Sequence, residues 1–510
     1  VSGLRGELVR VEVDVAPGLP SCQIVGLPDA ALSEARERVR SAVRNAGFQY
    51  PLSRITVNLA PADRRKHGAA YDVAIAIGIL LAHEQIRASG GPWALLGELS
   101  LEGTVMPVPG VLPMVATLRR AGHRRVCVPQ ANVPEARLVA EVEVVGVEGL
   151  DDVARLVAGP RGRKAAAARR RSAIRVAREA VPATVDEAPL TETTELADLR
   201  GQEQARWALE VTLAGRHNLL LVGSPGAGKT MLARAVPALQ PPLTEAEAHE
   251  VAIIRSVAGM PAVAADRLVR PFRAPHHTAS YAALVGGGPR LRPGLETQAH
   301  HGTLFLDELA EFDRDVLDAL RQPLEDGQVE VDRAHGSVCY PARLQLIAAM
   351  NPCRCGWYGD PERVCRCKQR EPERYMRRVS GPLLDRIDLR VVMPRMPAGQ
   401  LVARQRPEAS NVVAKRVENA WRRALARNLG VPNAALHGES LLRVCGLDRQ
   451  GRVAVSDIAR TLELTARGVH RMLRVARTIA DLRELELVTA DEVLSAASLR
   501  DRSVELAEAA

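Results

Sequence analysis

The sequence predicts an α/β protein: a parallel sheet covered by helices, with a second α/β region ahead of it and a helical region behind it. Three observations lead there. An apolar strand, Asn218 to Val222, runs into the glycine-rich turn GSPGAGKT at 223–230 and on into the helix-like MLARAV. Two further apolar runs, Thr303 to Leu306 and Leu344 to Ala349, alternate with helical segments, as a parallel sheet with helical crossovers requires. Beyond about residue 400, apolar positions recur at helical spacing of three and four.

A chain of 510 residues is too long for one core, and about three domains are expected. Residues 1–158 read as the first α/β domain. Leu8 to Val15 alternates as a strand does, Ala30 to Asn45 carries charges at helical spacing, Arg54 to Leu59 is strand-like, Ala70 to Ala82 reads as a buried helix and Val126 to Pro129 as a short strand. Residues 159–195 form a basic linker with little to bury; it reads as a solvated tether, a DNA-contacting segment being the other reading. The sheet-bearing core spans 196–400 and includes a cysteine-rich loop at 353–367, and a helical domain occupies 401–510.

Composition narrows the function classes. The net charge of +9 suits a polyanionic partner, although a genome biased toward Arg and Ala would give the same surplus. Aromatics make up only 3%, so stacking of bases on rings is not expected to dominate nucleic-acid binding. Val1 to Val15 holds no apolar stretch like a signal peptide, and the best apolar run, Val73 to Ala82, is too short to span a bilayer. A cytoplasmic protein with no membrane partner is expected.

The turn at 223–230 fits G-x-x-x-x-G-K-[ST] completely, in the required strand–loop–helix context. Gly223, Ser224, Pro225, Gly226, Ala227 and Gly228 would turn backbone N–H groups toward phosphate oxygens, and the following helix adds its positive N-terminal end. Lys229 would reach the β- and γ-phosphates of ATP, and the Thr230 hydroxyl would ligate Mg²⁺. A P-loop needs a second strand ending in carboxylates, and LFLDE at 304–308 supplies it. Asp307 would hold Mg²⁺ and Glu308 would polarise the attacking water. Asn351, after the strand LQLIAAM, would orient that water or sense the γ-phosphate. Arg386, in GPLLDRIDL, reads equally as a surface ion pair or as an arginine finger donated to a neighbouring subunit.

Cys353, Cys355, Cys365 and Cys367 form C-x-C-x9-C-x-C directly after Asn351, with Gly and Pro between the pairs to turn the chain back. Four thiols on one short loop suit a tetrahedral structural Zn²⁺; an iron–sulfur cluster and reactive free thiols are the other readings. Cys22, Cys127, Cys339 and Cys445 are scattered and read as packed. The pairs His276-His277 and His300-His301 flank Gly286–Gly288; adjacent histidines diverge on a strand, so loop roles are expected over metal chelation. The stretch VAVSDIARTLELTARGVHRMLRVARTIADL reads either as a helical lid closing on ATP through Arg467 or as a helix-turn-helix presenting Arg467, His470 and Arg471.

Five stretches carry a resemblance: DLRGQEQARWALEVTLAGRHNLLLVGSPGAGKT, RPFRAPHHTASYAALVGGG, AHHGTLFLDELAEF, AAMNPCRCG and SGPLLDRIDL. With them the chain resembles, over nearly its whole length, the YifB/ComM group of magnesium-chelatase-like AAA+ ATPases. The resemblance implies an AAA+ P-loop sheet with a helical lid, Asn351 as sensor 1, Arg386 as arginine finger and Arg467 as sensor 2. It also implies a pre-sensor β-hairpin in EDGQVEVDRAHGSVCYPARL, with Arg333 near its turn. Its implied function is a homo-hexameric motor driving DNA branch migration in recombination or natural transformation, with branched or single-stranded DNA and recombination proteins as partners. One departure stands out: the family's PGEISLAH is here PGLETQAH at 293–300, so no role of that glutamate transfers by position.

Residues 55–110 resemble a Lon-protease-type domain through ITVNLAPADRRKHGAAYDVAIAIGIL and LGELSLEGTVMPVPGV. Where such proteases carry a serine after a loop glycine, this chain reads Gly68-Ala69-Ala70. Where they carry a lysine, it reads Gly110-Val111-Leu112-Pro113. A serine–lysine dyad needs both groups, so a catalytically inactive domain is expected. Arg64, Arg65, Lys66 and His67 read as a solvated basic loop, with phosphate contact as the second reading. Competing functions are a chelatase- or chaperone-type ATPase acting on a protein partner and a DNA-reading regulator built on the C-terminal helices.

Overall fold

The computed structural model describes residues 1–510 apart from 2, 64–65, 90, 167–193, 262, 264–267, 289–290, 334–335, 398–406 and 501–510. The chain forms two compact units: 1–185 with 248–268 and 288–293, and 186–247 with 269–287 and 294–510.

The first unit contains β1 (Arg10–Ala16), β2 (Ser21–Val25), α1 (Ala35–Asn45), β3 (Arg54–Ala60), α2 (Asp72–Ala82), β4 (Ala94–Leu95), β5 (Arg125–Pro129) and β6 (Glu143–Val147). In one sheet β3 lies between an antiparallel β1 and a parallel β2. Ile55, Val57 and Leu59 alternate along β3 into the core, the period-two pattern of a strand buried on one face. The second sheet, β4-β5-β6, is parallel and buries Val126, Cys127 and Val128. Helix α2 is apolar on nearly every face, as a core helix must be. Its one buried carboxylate, Asp72, receives the Arg38 guanidinium of α1 at 2.8 and 3.1 Å and the Leu99 N–H at 3.3 Å. The helix expected over Ala30–Asn45 is split after Ser33, and Asp29 accepts the Leu32 N–H at 2.8 Å to start its first turn.

The second unit holds a five-stranded, all-parallel sheet. Its members are α3 (Glu203–Gly215), β7 (Leu219–Gly223), α4 (Lys229–Arg234), β8 (Phe272–Arg273), β9 (Thr303–Leu306), β10 (Gln328–Arg333), β11 (Gly336–Pro341), β12 (Gln345–Met350) and β13 (Leu389–Met393). The strand order is β8-β9-β12-β7-β13. Leu219 and Leu221 of β7 join one apolar cluster with Ile347, Ala349 and Leu389. Leu220 and Val222 join another with Leu304, Leu306, Leu346 and Ala348. Burial on both faces is why these strands read as unbroken apolar runs. Strands β10 and β11 stand apart as an antiparallel hairpin, with Arg333 paired to Gly336 at its tip.

The C-terminal helices are α5 (Ser410–Arg427), α6 (Gly438–Cys445), α7 (Arg449–Thr461), α8 (Ala466–Leu482) and α9 (Ala490–Ser498). Helix α8 starts at Thr465, whose hydroxyl accepts the Gly468 N–H at 3.2 Å. It buries Met472, Val475, Ala476 and Ile479 in the cluster that contains Leu219 and Leu221. A buried polar chain fixes it against the base of the sheet. Asn433 donates to Thr478 at 3.0 Å and to Asp481 at 2.8 Å, and the His217 ring meets Thr478 Oγ1 at 2.8 Å. These bonds tie three segments together at one point, although His217 Nδ1 is left without a hydrogen bond, 3.7 Å from Asp388. Among the described residues no helix is long and apolar enough to cross a membrane.

Candidate nucleotide-binding site

The site lies at the carboxyl ends of β7, β9 and β12, the edge at which open parallel sheets bind ligands. Residues 224–228 turn from β7 into α4, and Gly228 caps that helix at φ 94, a left-handed conformation that residues with a Cβ rarely adopt. The turn aims the Lys229 ammonium back into its own loop. It donates to the carbonyls of Gly223 at 2.6 Å and Ser224 at 3.1 Å, and to Asn351 Oδ1 at 3.2 Å. Burial pushes Lys229 down to about 8, against the opposing pull of Asp307 and Glu308. An ammonium so desolvated is poised for anionic oxygens.

Thr230 is the second residue of α4 and Asp307 directly follows β9, and the two meet: Oγ1 donates to Oδ2 at 2.6 Å. A hydroxyl and a carboxylate oxygen this close can share one hard cation, so the pair fits Mg²⁺. Glu308 follows in the left-handed region, at φ 54 and ψ 44, where a non-glycine residue is strained. Its carboxylate faces His277 Nδ1 at 3.0 Å. Strand β12 lies between β7 and β9, so Asn351, just beyond its end, sits between the P-loop lysine and the carboxylate pair. The structure therefore brings together Lys229, Thr230, Asp307 and Asn351.

Comparisons with known proteins fit this geometry. The family described as "Magnesium chelatase, subunit ChlI" matches residues 195–401, "Subunit ChlI of Mg-chelatase" matches 11–132, and its C-terminal family matches 407–500. An uncharacterised protein of Mycobacterium tuberculosis is 44% identical over 98% of this chain and 97% of its own length. The Escherichia coli protein YifB is 40% identical over 98% and 95%. The competence protein ComM of Haemophilus influenzae is 40% identical over 94% and 92%. The chain belongs to the YifB/ComM group of magnesium-chelatase-like AAA+ ATPases. A shorter likeness, 31% identity over 31% of the chain, links it to the Lon protease of Roseiflexus castenholzii and supports a Lon-like domain ahead of the AAA+ core.

Other residues singled out from the sequence lie apart from the lysine–carboxylate cluster. Arg386 is three-quarters buried, and its guanidinium is held within the chain by Glu325 and, at 2.7 Å, by the Pro382 carbonyl. Asn218, at the foot of β7, donates to the Arg386 carbonyl at 2.8 Å, so the backbone that carries this arginine is tied to the P-loop strand. Arg467 is exposed in the first turn of α8, whereas Arg471, one turn on, is buried and reaches Asp385 at 3.4 Å.

The four thiols of the cysteine loop converge. Sγ of Cys353 lies 3.4 Å from that of Cys355 and 3.8 Å from that of Cys365, Cys355 and Cys365 are 3.5 Å apart, and all four are within 4.8 Å. A tetrahedral zinc with bonds of about 2.3 Å sets its sulfurs about 3.8 Å apart, so the cluster fits that ion. Burial pushes the Cys355 thiol up, but the backbone N–H groups of Trp357 and Arg366 outweigh it and bring it down to about 6.

Two expectations need correcting. Cys339 is exposed, because it lies on the outward face of hairpin strand β11, where its thiol meets Gln328 at 2.9 Å; it is not packed. Lys66 is 2% exposed and donates to the Pro61 carbonyl, so it is not part of a solvated basic loop. Arg64 and Arg65 lie outside the described residues. The contact of His277 with Glu308 was not legible in the sequence, because the loop between β8 and β9 carries no periodicity that would place it. Glu296, in the departing segment PGLETQAH, is fully buried with neither carboxylate oxygen partnered, and burial pushes it up to about 7.

Proposed function

We propose that this protein is a ring-forming ATP-hydrolysing motor that remodels branched or single-stranded DNA. The observation that carries the reading is the convergence of one ammonium, one hydroxyl, a carboxylate and an amide at the ends of three adjacent strands: Lys229, Thr230, Asp307 and Asn351. Together with the backbone of Gly223, Ser224, Pro225, Gly226, Ala227 and Gly228 they make a site for a triphosphate. Lys229 neutralises β- and γ-phosphate charge. Thr230 and Asp307 hold Mg²⁺, which supplies charge neutralisation between those phosphates when bound. Glu308 accepts a proton from the attacking water, and Asn351 orients that water. Arg386 acts as an arginine finger on the nucleotide of the neighbouring subunit, and Arg467 acts from the lid. The working form is then a closed homo-hexamer, since a head-to-tail interface that closes makes a ring.

The DNA assignment draws on the name of the competence protein ComM and on the basic surplus of +9. The β10–β11 hairpin, with Arg333 at its tip, is the element assigned to contact DNA. The cysteine quartet holds a structural Zn²⁺. The Lon-like domain cleaves no peptide, because Ala69, Ala70, Val111 and Leu112 stand where a dyad would need a nucleophile and a base. The protein works in the cytoplasm, in recombination or natural transformation.

An ATPase assay with and without a synthetic four-way junction tests the reading. Stimulation by the junction, lost as salt rises, is the expected result. Turnover indifferent to every DNA form, but raised by a protein partner, would replace the DNA motor with a chelatase- or chaperone-type ATPase.

A further inference from the structure

The segment from Cys353 to Cys367 contains no helix or strand, and only Cys353 of its four cysteines is buried. Tyr358 and Val364 point outward. A segment of this length with so little of its own to bury does not hold a single shape through packing. Yet it makes close contacts with the phosphate-binding turn. Gly356 lies at φ 84 against Pro225, so close that a Cβ there would come within 2.6 Å of the proline Cδ. Asp360 lies beside the turn, and the Ser224 side chain is the largest of the influences that hold its carboxyl below the usual carboxylate range, although its buried Oδ2 makes no direct hydrogen bond. Oδ1 of Asp360 accepts the N–H groups of Glu362 and Arg363 at 3.0 Å each. The Arg363 guanidinium lies 4.4 Å over the Trp357 ring, and Arg395, just past β13, lies 6.0 Å from it. The same loop begins two residues after Asn351, which already accepts from Lys229.

Resting on the ATP-site reading above, we propose that the cysteine loop is a metal-dependent brace for the P-loop. A soft divalent cation on the four thiolates fixes the loop, and the fixed loop holds Ser224 and Pro225 in the conformation that receives phosphate. The metal site then does more than stabilise a surface excursion: it sets nucleotide affinity. Its place supports this, because the loop approaches P-loop residues that lie beyond the last sheet pairing. Ser224 and Pro225 lie past the last β7–β13 pairing, Met393 with Gly223. Releasing the metal frees Gly356, and the turn loses its contact at Pro225 while β7, β9 and β12 remain in place.

The test uses the full chain, with metal content measured alongside titration by a fluorescent ATP analogue. The protein is compared as purified, after chelation under reducing conditions, and after Zn²⁺ is restored. The proposal expects one zinc per chain and binding weakened about tenfold in stripped protein, with recovery on adding Zn²⁺. Gly356→Ala should keep its zinc yet press a Cβ against Pro225 and bind the analogue several-fold more weakly, which covers the case in which stripped protein unfolds. The proposal is overturned if no zinc binds, if stripped and loaded protein bind alike, or if Gly356→Ala binds as the wild type does. Failure of zinc-loaded wild-type protein to bind the analogue would instead remove the ATP-site reading itself.

Discussion

Lys229 and Arg386 are cations of the same compact unit, both assigned to phosphate charge, yet the fold holds them in opposite ways. Lys229 is drawn inward, to two carbonyls of its own loop and to Asn351, and its desolvation is answered by Asp307 and Glu308 nearby. Arg386 is turned to Glu325 and the Pro382 carbonyl, away from that cluster. On the proposed reading one chain builds the half that grips a triphosphate, while the arginine half is held by two local partners and keeps a buried Nε without one. An arginine meant for a neighbour's nucleotide must be kept soluble and oriented until the neighbour arrives. A half-exposed carboxylate such as Glu325 does this at little cost, because exposed ion pairs contribute little and exchange readily.

The largest expected effect comes from separating the two halves. Arg386→Ala should bind ATP as the wild type does and lose on the order of a thousandfold in turnover, the usual range for an arginine finger. Lys229→Ala should instead lose binding, by about a hundredfold, through its hydrogen bonds to charged oxygens. Mixing the two inactive variants should restore part of the turnover, since an Arg386 from a Lys229→Ala subunit can serve an intact P-loop next to it. Additive, dead mixtures would show that Arg386 acts within its own chain, and the contrast drawn here would fail.

How much of this was open to sequence reading follows the same division. The P-loop and the LFLDE strand were legible because each needs fixed residues at fixed local spacing, and their strands are buried on both faces. Thr230 and Asp307 meet as that reading requires. The cysteine quartet was legible for the same local reason. The His277–Glu308 contact, the approach of Gly356 to Pro225 and the Arg386–Glu325 pair were not, because each joins segments whose approach depends on how loops cross the sheet ends. Cys339 was misread because a short hairpin exposes alternate residues, and single-residue burial there depends on register, which the sequence did not specify.

pH sharpens the comparison with a smaller effect. Lys229 is held down to about 8 by burial, so it carries its charge below that value and loses it above. The apparent Kd for ATP should therefore rise about tenfold between about pH 7 and pH 9, as the ammonium is titrated away. The arginine half has no such dependence, since a guanidinium does not titrate in this range. The ratio of wild-type to Arg386→Ala turnover at saturating ATP should stay flat across the same interval. Measuring both over one pH series checks the two halves in one preparation. A Kd that holds steady through pH 9 would mean that Lys229 is not the group that meets the phosphates.

The smallest effect is expected from Glu325→Ala. It removes the carboxylate that occupies Arg386 but leaves the bond from Arg386 to the Pro382 carbonyl and the tie from Asn218 to the Arg386 backbone. Stability should change by no more than about 0.5 kcal/mol, because Glu325 is more than half exposed and its pair is screened by solvent. ATP affinity should not change, since nothing in the lysine cluster touches Glu325. Turnover should stay level or rise a few-fold, as Arg386 no longer has to leave a partner before it reaches the neighbour. If turnover instead fell as far as in Arg386→Ala, Glu325 would be aiming the arginine and not merely holding it. The arginine half would then be built as deliberately within the chain as the lysine half, and the difference between them would shrink to which subunit's nucleotide each one serves.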